Sequence, residues 1–158
     1  MTQKYLPKVD FISIIVTLTV LLSISIAFKA FFSYSKNLSI FGFIILFTAI
    51  FAVLYSFPVA YILTKNKLVI KKILSKKTIE LHTINTVTKI SQSISFTYST
   101  KGFFGYLGKT MDGSTSYSTS LKNNLLIKTN DNKKIIISPT KMNLFQNELR
   151  KRLPTQKY

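Results

Sequence analysis

Residues 11–28 read FISIIVTLTVLLSISIAF, eighteen positions without a charge, with Lys8 and Asp10 before them and Lys29 after. At ~1.5 Å per residue a helix of that length reaches about 27 Å, close to the hydrocarbon thickness of a bilayer. Ala30, Phe31 and Phe32 can extend it while the Lys29 ammonium reaches back toward water. A second run, IFGFIILFTAIFAVLYSF at 40–57, lies inside the uncharged stretch from Asn37 to Thr64 and closes before Pro58. Tyr5, Phe31, Phe32, Tyr34, Tyr55 and Tyr61 fall where a ring can keep its body in lipid and its polar edge wet. The pair predicts a transmembrane hairpin with spans at about 11–30 and 39–58, within an amino-terminal region 1–64.

Two competing readings are weaker. A cleaved signal peptide would use Lys4 and Lys8 as its positive region, but the apolar run is too long and Ala27-Phe28-Lys29-Ala30 has the wrong spacing for cleavage. A buried helical pair fails on size, because a small domain cannot cover two helices that are apolar on every face.

Lysine placement sets the orientation. Only Lys29 and Lys36 lie between the runs, whereas Lys65, Lys67, Lys71, Lys72, Lys76 and Lys77 follow the second. The positive-inside rule puts that side in the cytoplasm, and two spans return the amino terminus, with Lys4 and Lys8, to the same side. The expected location is therefore the cell (inner) membrane, multi-pass, with both termini cytoplasmic and the Lys29 to Ser39 loop outside.

The chain carries 22 Lys and Arg against 5 Asp and Glu; from Lys65 onward there are 18 of the bases and 4 of the acids, near +14. Such a field favours an anionic partner, and beside a bilayer the nearest one is the phospholipid surface. Lys65, Lys67, Lys76 and Lys77 are the candidate anionic-lipid contacts, read as lying in turns; a bland alternative makes the whole run a topology signal and a solvated surface. The absence of cysteine excludes disulfides and thiolate chemistry.

From Ala60 the apolar period shortens. Tyr61-Ile62-Leu63, Leu68-Val69-Ile70 and Ile73-Leu74 are parted by Lys65-Asn66-Lys67 and Ser75-Lys76-Lys77, the pattern of strands and turns. Ile90, Ile94, Phe96 and Tyr98 share one face of a further strand, and Leu125-Leu126-Ile127 with Ile135-Ile136-Ile137 flank Asn130-Asp131-Asn132 as a hairpin. The last element is an amphipathic helix, capped by Ser138 with Pro139 at its first position. It has Met142, Phe145, Leu149 and Leu153 on its buried stripe, and Lys141, Gln146, Arg150 and Lys151 opposite.

In this order, two apolar runs, a basic strand pair, the glycine-spaced KGFFGYLG at 101–108, Tyr117-Ser118-Thr119, Asn124-Leu125-Leu126-Ile127 and Ile136-Ile137-Ser138-Pro139 leading to Phe145 and Leu149, the chain resembles a bacterial pleckstrin-homology-like (PH-like) domain family found in small membrane proteins. The resemblance covers roughly Tyr61 to Leu153. Its structural motif residues here are Gly102, Gly105, Gly108, Tyr117, Pro139 and Phe145. It implies a bent antiparallel β barrel or sandwich closed by a carboxy-terminal helix, hence an α+β membrane protein with a PH-like domain at 60–153 and a tail at 154–158. It also implies a binding or scaffolding module and not an enzyme, with no catalytic or cofactor residues to carry across.

Chemical motifs are sparse. Gly108-Lys109-Thr110 looks like the end of a phosphate-binding loop, but five residues separate Gly102 from Gly108 where four are required, and Phe103 stands where glycine is needed. His82 is the only histidine, the five carboxylates are scattered, and Asn130-Asp131-Asn132 lacks the later glycine and glutamate of a calcium loop. No cofactor or metal is called for, and nucleic acid is disfavoured because no reading helix, zinc finger or RNA-binding aromatic motif is present. The reading is a membrane-anchored module at the cytoplasmic face that contacts a protein partner or anionic headgroups. The alternative is an auxiliary subunit whose two helices make the functional contacts with a larger membrane complex.

Overall fold

The computed structural model describes residues 2–34, 36–90, 100–101, 106–110, 113–120 and 122–153. Helices α1 (Phe11–Tyr34) and α2 (Lys36–Ser56) touch each other, and the end of α2 meets a β structure closed by helix α3 (Met142–Arg152). The helices take in Lys29 and Lys36, where the sequence suggests a loop over Lys29 to Ser39. The reason is local: KAFFSY at 29–34 and KNLS at 36–39 hold neither glycine nor proline to interrupt helical hydrogen bonding. α2 stops just before Pro58, whose ring disfavours helix at the preceding residue.

Large apolar side chains point outward on several sides of both helices, among them Phe11, Ile14, Ile15, Leu18, Leu22 and Ile26 on α1 and Ile40, Phe43, Ile44, Phe47 and Phe51 on α2. Their hydroxyls turn inward to the backbone: Thr17 Oγ1 donates to Ser13 O at 2.6 Å, Ser25 Oγ to Leu21 O at 2.8 Å and Thr48 Oγ1 to Ile44 O at 2.8 Å. Among the described residues no helix is long and apolar enough to cross a membrane. The uncharged runs 11–28 and 40–57 include positions whose side chains lie outside that description.

The first sheet has the order β1-β2-β3-β4 and is antiparallel throughout: β1 (Gln3–Tyr5), β2 (Pro58–Leu63), β3 (Lys67–Lys72) and β4 (Lys76–Glu80). Tyr61, Leu63, Leu68, Ile70 and Ile79 face the core, with Ile62, Val69 and Thr78 on the other side, as a period of two requires. The second sheet has the order β5-β9-β10-β8-β7-β6: β5 (Ile84–Ile90), β6 (Thr100–Lys101), β7 (Tyr106–Lys109), β8 (Thr115–Ser118), β9 (Asn124–Thr129) and β10 (Lys134–Ile137). Here the antiparallel expectation needs one correction. β10 pairs with β8 in parallel, because the β9–β10 hairpin folds back so that its second strand slots beside β8.

The hairpin at 125–137 is as expected, with Leu125 and Ile127 buried opposite Ile137 and Ile135. Asn132 takes φ 59, a left-handed conformation that asparagine tolerates, and Thr129 N donates to Lys133 O at 3.0 Å across the turn. Of the strand expected to carry Ile90, Ile94, Phe96 and Tyr98, β5 supplies Ile90, and the other three lie outside the described residues.

α3 closes the sandwich with Phe145 and Leu149 fully buried, and Met142 and Leu153 packed at the edge of the core. Its start differs from the sequence reading. The helix begins at Met142, with Lys141 at the cap position and no side-chain cap bond. Ser138 Oγ instead accepts from Thr119 N at 2.8 Å, and Pro139 forms an isolated bridge with Pro7. Gln146, assigned to the polar face, is buried and donates to Val87 O at 3.3 Å, joined there by Arg150 at 3.3 Å. β5 is an edge strand, so α3 satisfies a carbonyl that the sheet leaves open.

The amino-terminal tail belongs to both sheets. β1 adds to β2 in the first, and its Tyr5 ring meets Phe145 edge-on at 5.0 Å. Past it, Thr140 N donates to Leu6 O at 2.9 Å, Lys8 N to Ser138 O at 2.7 Å and Asp10 N to Thr119 O at 3.0 Å. A three-residue strand followed by Pro7 carries no periodicity, so the sequence gives no sign of it.

Candidate functional site at the hairpin base

The four candidate lysines do not form one cluster. Lys65 lies in the turn before β3 and Lys67 begins that strand, whereas Lys76 and Lys77 begin β4 at the opposite end of the same hairpin. The four steps of strand from Lys67 to Lys71 span about 13 Å. Only Lys65 is in a turn, contrary to the expectation for Lys67, Lys76 and Lys77. The turn between β3 and β4 is Ile73, Leu74 and Ser75, closed by Lys72 N donating to Ser75 O at 2.8 Å. Its two aliphatic residues imitate a continuing strand, which is why KKILSKK at 71–77 is misread.

On the outer face of the first sheet, cross-strand partners share a side. At one end Lys67 faces Glu80, with Nζ 3.0 Å from Oε1. At the other end Lys71 faces Lys76, and both are exposed.

That second end abuts the exit of α2. Ile73 N donates to Phe57 O at 3.2 Å, and Ser75 Oγ reaches Tyr55 O at 3.5 Å. Lys72 Nζ stands 4.7 Å from the centre of the Tyr55 ring and 5.5 Å from that of Tyr117, within cation–π range of both. Ile73 is 46% and Leu74 51% exposed. Tyr55, Lys71, Ile73 and Leu74 meet here, although the sequence places Tyr55 at a bilayer interface, Lys71 in a basic run and Ile73-Leu74 in a strand without making any of them a candidate contact; the paired-lysine frame around Ile-Leu is the available signal.

Where α1 begins, a buried polar network replaces the ladder. Thr119 Oγ1 donates to Lys8 O at 2.6 Å and Ser120 Oγ to Asp10 Oδ1 at 2.9 Å, while Ser118 Oγ lies 2.5 Å from Asn124 Oδ1. Tyr61 OH donates to Tyr117 O at 2.7 Å and accepts from Ser138 N at 3.2 Å. Burial pushes the Tyr61 phenol up to about 12, with hydrogen bonds from Ser138 working the other way. Both ends of the helical hairpin are thus tied to the same sandwich, Asp10 through Thr119 and Ser120, and Phe57 through Ile73.

The motif residues sort as structural. Phe145 is core, Tyr117 lies half-buried on β8, and Pro139 bridges to Pro7. Gly108, at φ 110, sits in β7 opposite Ser116, so Gly108-Lys109 ends a strand and does not form a phosphate loop. Gly102 and Gly105 lie outside the described residues. His82 is exposed on the short 3-10 turn Leu81–Thr83, and among the described residues no group of three or more His, Asp or Glu could hold a metal ion. Asp131, held to about 2 by hydrogen bonds from Lys133 and Thr129, secures the β9–β10 turn. An open groove of about 480 Å³ lies between β1 and the start of α3, lined by Gln3, Lys4, Tyr5, Leu6, Thr140, Lys141 and Leu144.

A family model described as a bacterial PH domain matches residues 59–153, from β2 to the end of α3. The chain belongs to the bacterial PH domain family. No curated protein and no solved structure matches it. The PH domain so bounded includes both sheets apart from β1, and leaves the tail and the helical hairpin outside. Its fold is that of a binding or scaffolding module, typically non-catalytic.

Proposed function

We propose that this chain is a membrane-anchored bacterial PH module, whose helices α1 and α2 cross the cytoplasmic membrane as a hairpin. The sandwich is held against the cytoplasmic headgroups, where it binds anionic lipid or a protein partner. One observation carries the reading: two helices that expose large apolar side chains on several sides, with both ends of the pair fastened to one basic sandwich. In water those exposed side chains would cost about 25 cal/mol for each Å² of apolar surface, and a bilayer removes that cost. Fastening both ends to one body puts residue 10 and residue 57 on the same side, the arrangement that lysine placement favours independently.

Reporter fusions at Tyr158 and at Lys36 test this. A cytoplasmic carboxy terminus with an external residue 36 supports the reading, and an external carboxy terminus or a chain that washes off membranes overturns it. The auxiliary-subunit alternative is separated by replacing 11–56 with an unrelated two-span hairpin. Partner capture survives the exchange if the sandwich does the binding, and is lost if the helices do. Truncation to residue 65 onward would not decide this, because it removes β1 and β2 with Tyr61 and Leu63 from the core.

A further inference from the structure

We infer that the β3–β4 turn is a membrane wedge: Ile73 and Leu74 enter the boundary between headgroups and acyl chains beside the end of α2, and Lys71, Lys76 and Lys77 hold anionic lipid phosphates around them. The inference rests on the proposed membrane hairpin and adds a second, separate contact to it.

Three observations converge on this turn. Its backbone is bonded to the exit of α2 through Ile73 N to Phe57 O at 3.2 Å, so its depth in the bilayer is fixed by the last turn of that helix. Its composition is wrong for water. Turns there favour Gly, Asn, Asp and Ser, as Asn130-Asp131-Asn132 does in this chain, whereas Ile73 and Leu74 stand 46% and 51% exposed. Its charge lacks an internal counterpart, because Lys71 and Lys76 are directly opposite cross-strand partners, a like-charge pairing that repels until an anion lies between them. Among the described residues no ion pair is formed by Lys71, Lys76 or Lys77; the carboxylate of this hairpin, Glu80, lies at its other end and is taken by Lys67. An apolar tip ringed by unneutralised lysines fits an interface that is apolar below and anionic above. Phospholipid is the occupant because the α2 exit beside the turn is already at that interface.

The chain contains no tryptophan, so a single introduced indole reports its own surroundings. Full-length Leu74→Trp, Leu18→Trp and Asn66→Trp are reconstituted separately into phosphatidylcholine vesicles with or without phosphatidylglycerol, carrying bromine near the glycerol end or near the bilayer centre. The expected result is blue-shifted emission from residue 74 quenched by the shallow bromines, deep quenching at residue 18, and neither effect at residue 66. With bromine on the phosphatidylglycerol, quenching at residue 74 should exceed that by brominated phosphatidylcholine, and Lys71→Gln/Lys76→Gln/Lys77→Gln should remove the excess. Quenching at 18 with residue 74 as silent as residue 66 overturns the wedge and leaves the hairpin standing. Silence at residue 18 overturns the hairpin and the wedge with it. Quenching at 74 that is indifferent to lipid charge overturns the lysine ring.

Discussion

The two ends of β3 are both rich in lysine, but only one of them carries an internal counter-charge. At the Lys65-Asn66-Lys67 end, Thr64 closes the turn by accepting from Lys67 N at 3.0 Å through its hydroxyl, and the cross-strand pair is Lys67 with Glu80. At the Lys71 to Lys77 end, the turn is Ile-Leu-Ser and the cross-strand pair is Lys71 with Lys76. One end is neutralised from within and polar at its tip; the other is neither. Lysine density alone gives no hint of the difference, since it depends on which residue the register sets opposite each lysine and on which end lies against α2. A basic run is therefore a poor description of a surface until strand pairing is known.

The comparison assumes that the sheet holds its ends apart as a rigid body, and the largest expected effect tests that assumption. Phe145 is fully buried and touches the rings of Tyr5 and Tyr61, so Phe145→Ala should destabilise the fold by about 3–5 kcal/mol, whereas exposed Lys141→Ala should change it by less than about 0.5 kcal/mol. Thermal and urea unfolding of the full-length protein in mild detergent measure both. Equal small losses would mean that α3 is not docked and that the ends of β3 need not stay where they are.

A second effect comes from Tyr61, which shares β2 with the exit of α2. Its folded pKa of about 12 lies above the unfolded value near 10, so the native state keeps a proton that the unfolded state releases. Its contribution is fully present below pH 10 and is lost as pH rises from about 10 to 12, by about 2–3 kcal/mol. Tyr61→Phe should lower stability at neutral pH, where the bonds to Tyr117 O and Ser138 N are lost, and flatten the alkaline decline relative to the parent. A parallel alkaline decline in both proteins would show that lysine titration, and not this phenol, governs that limb.

Much of this architecture was legible in advance, and the failures have local causes. The β9–β10 hairpin could be read because Ile127 and Ile135 keep a period of two around a turn of asparagines and aspartate. α3 was visible from the spacing of Met142, Phe145, Leu149 and Leu153, but its start was misplaced because Ser138 and Pro139 are engaged by Thr119 and Pro7, partners far off in sequence. β5 escaped notice for another reason: a bulge between Ile84 and Thr86 puts Ile84 and Val87 on the core side at a spacing of three. The candidate lysines are divided by a gap of the same kind. Lys65, Lys67, Lys76 and Lys77 are near one another along the chain, and only the register reveals that they occupy two ends.

The near end should show the third effect. With Leu74→Trp as reporter, each of Lys71, Lys76 and Lys77 is expected to contribute on the order of 1 kcal/mol to the preference for anionic over zwitterionic lipid at low salt, declining as salt rises. Replacing Lys65 and Lys67 with Gln should leave that preference unchanged. If the far-end pair matters as much, the sandwich lies on its side against the bilayer and the distinction between the ends collapses.

The smallest effects come from exchanging the cross-strand partners, and they have opposite signs at the two ends. Lys76→Glu turns a repelling pair into an attracting one, so fold stability in detergent should rise by about 0.2–1 kcal/mol while the anionic-lipid preference at residue 74 falls. Glu80→Gln does the reverse to stability, by a similarly small amount because the Lys67–Glu80 pair is half-exposed and screened. It also releases Lys67 to act on its surroundings. Lys67 stands about 13 Å along the strand from Lys71, beyond the screening length of about 8 Å at physiological ionic strength, so freeing it should not raise lipid preference at residue 74. A rise in Glu80→Gln as large as the fall in Lys76→Glu would mean that both ends meet the same charged surface. The register would then explain the fold of this sheet but not its orientation.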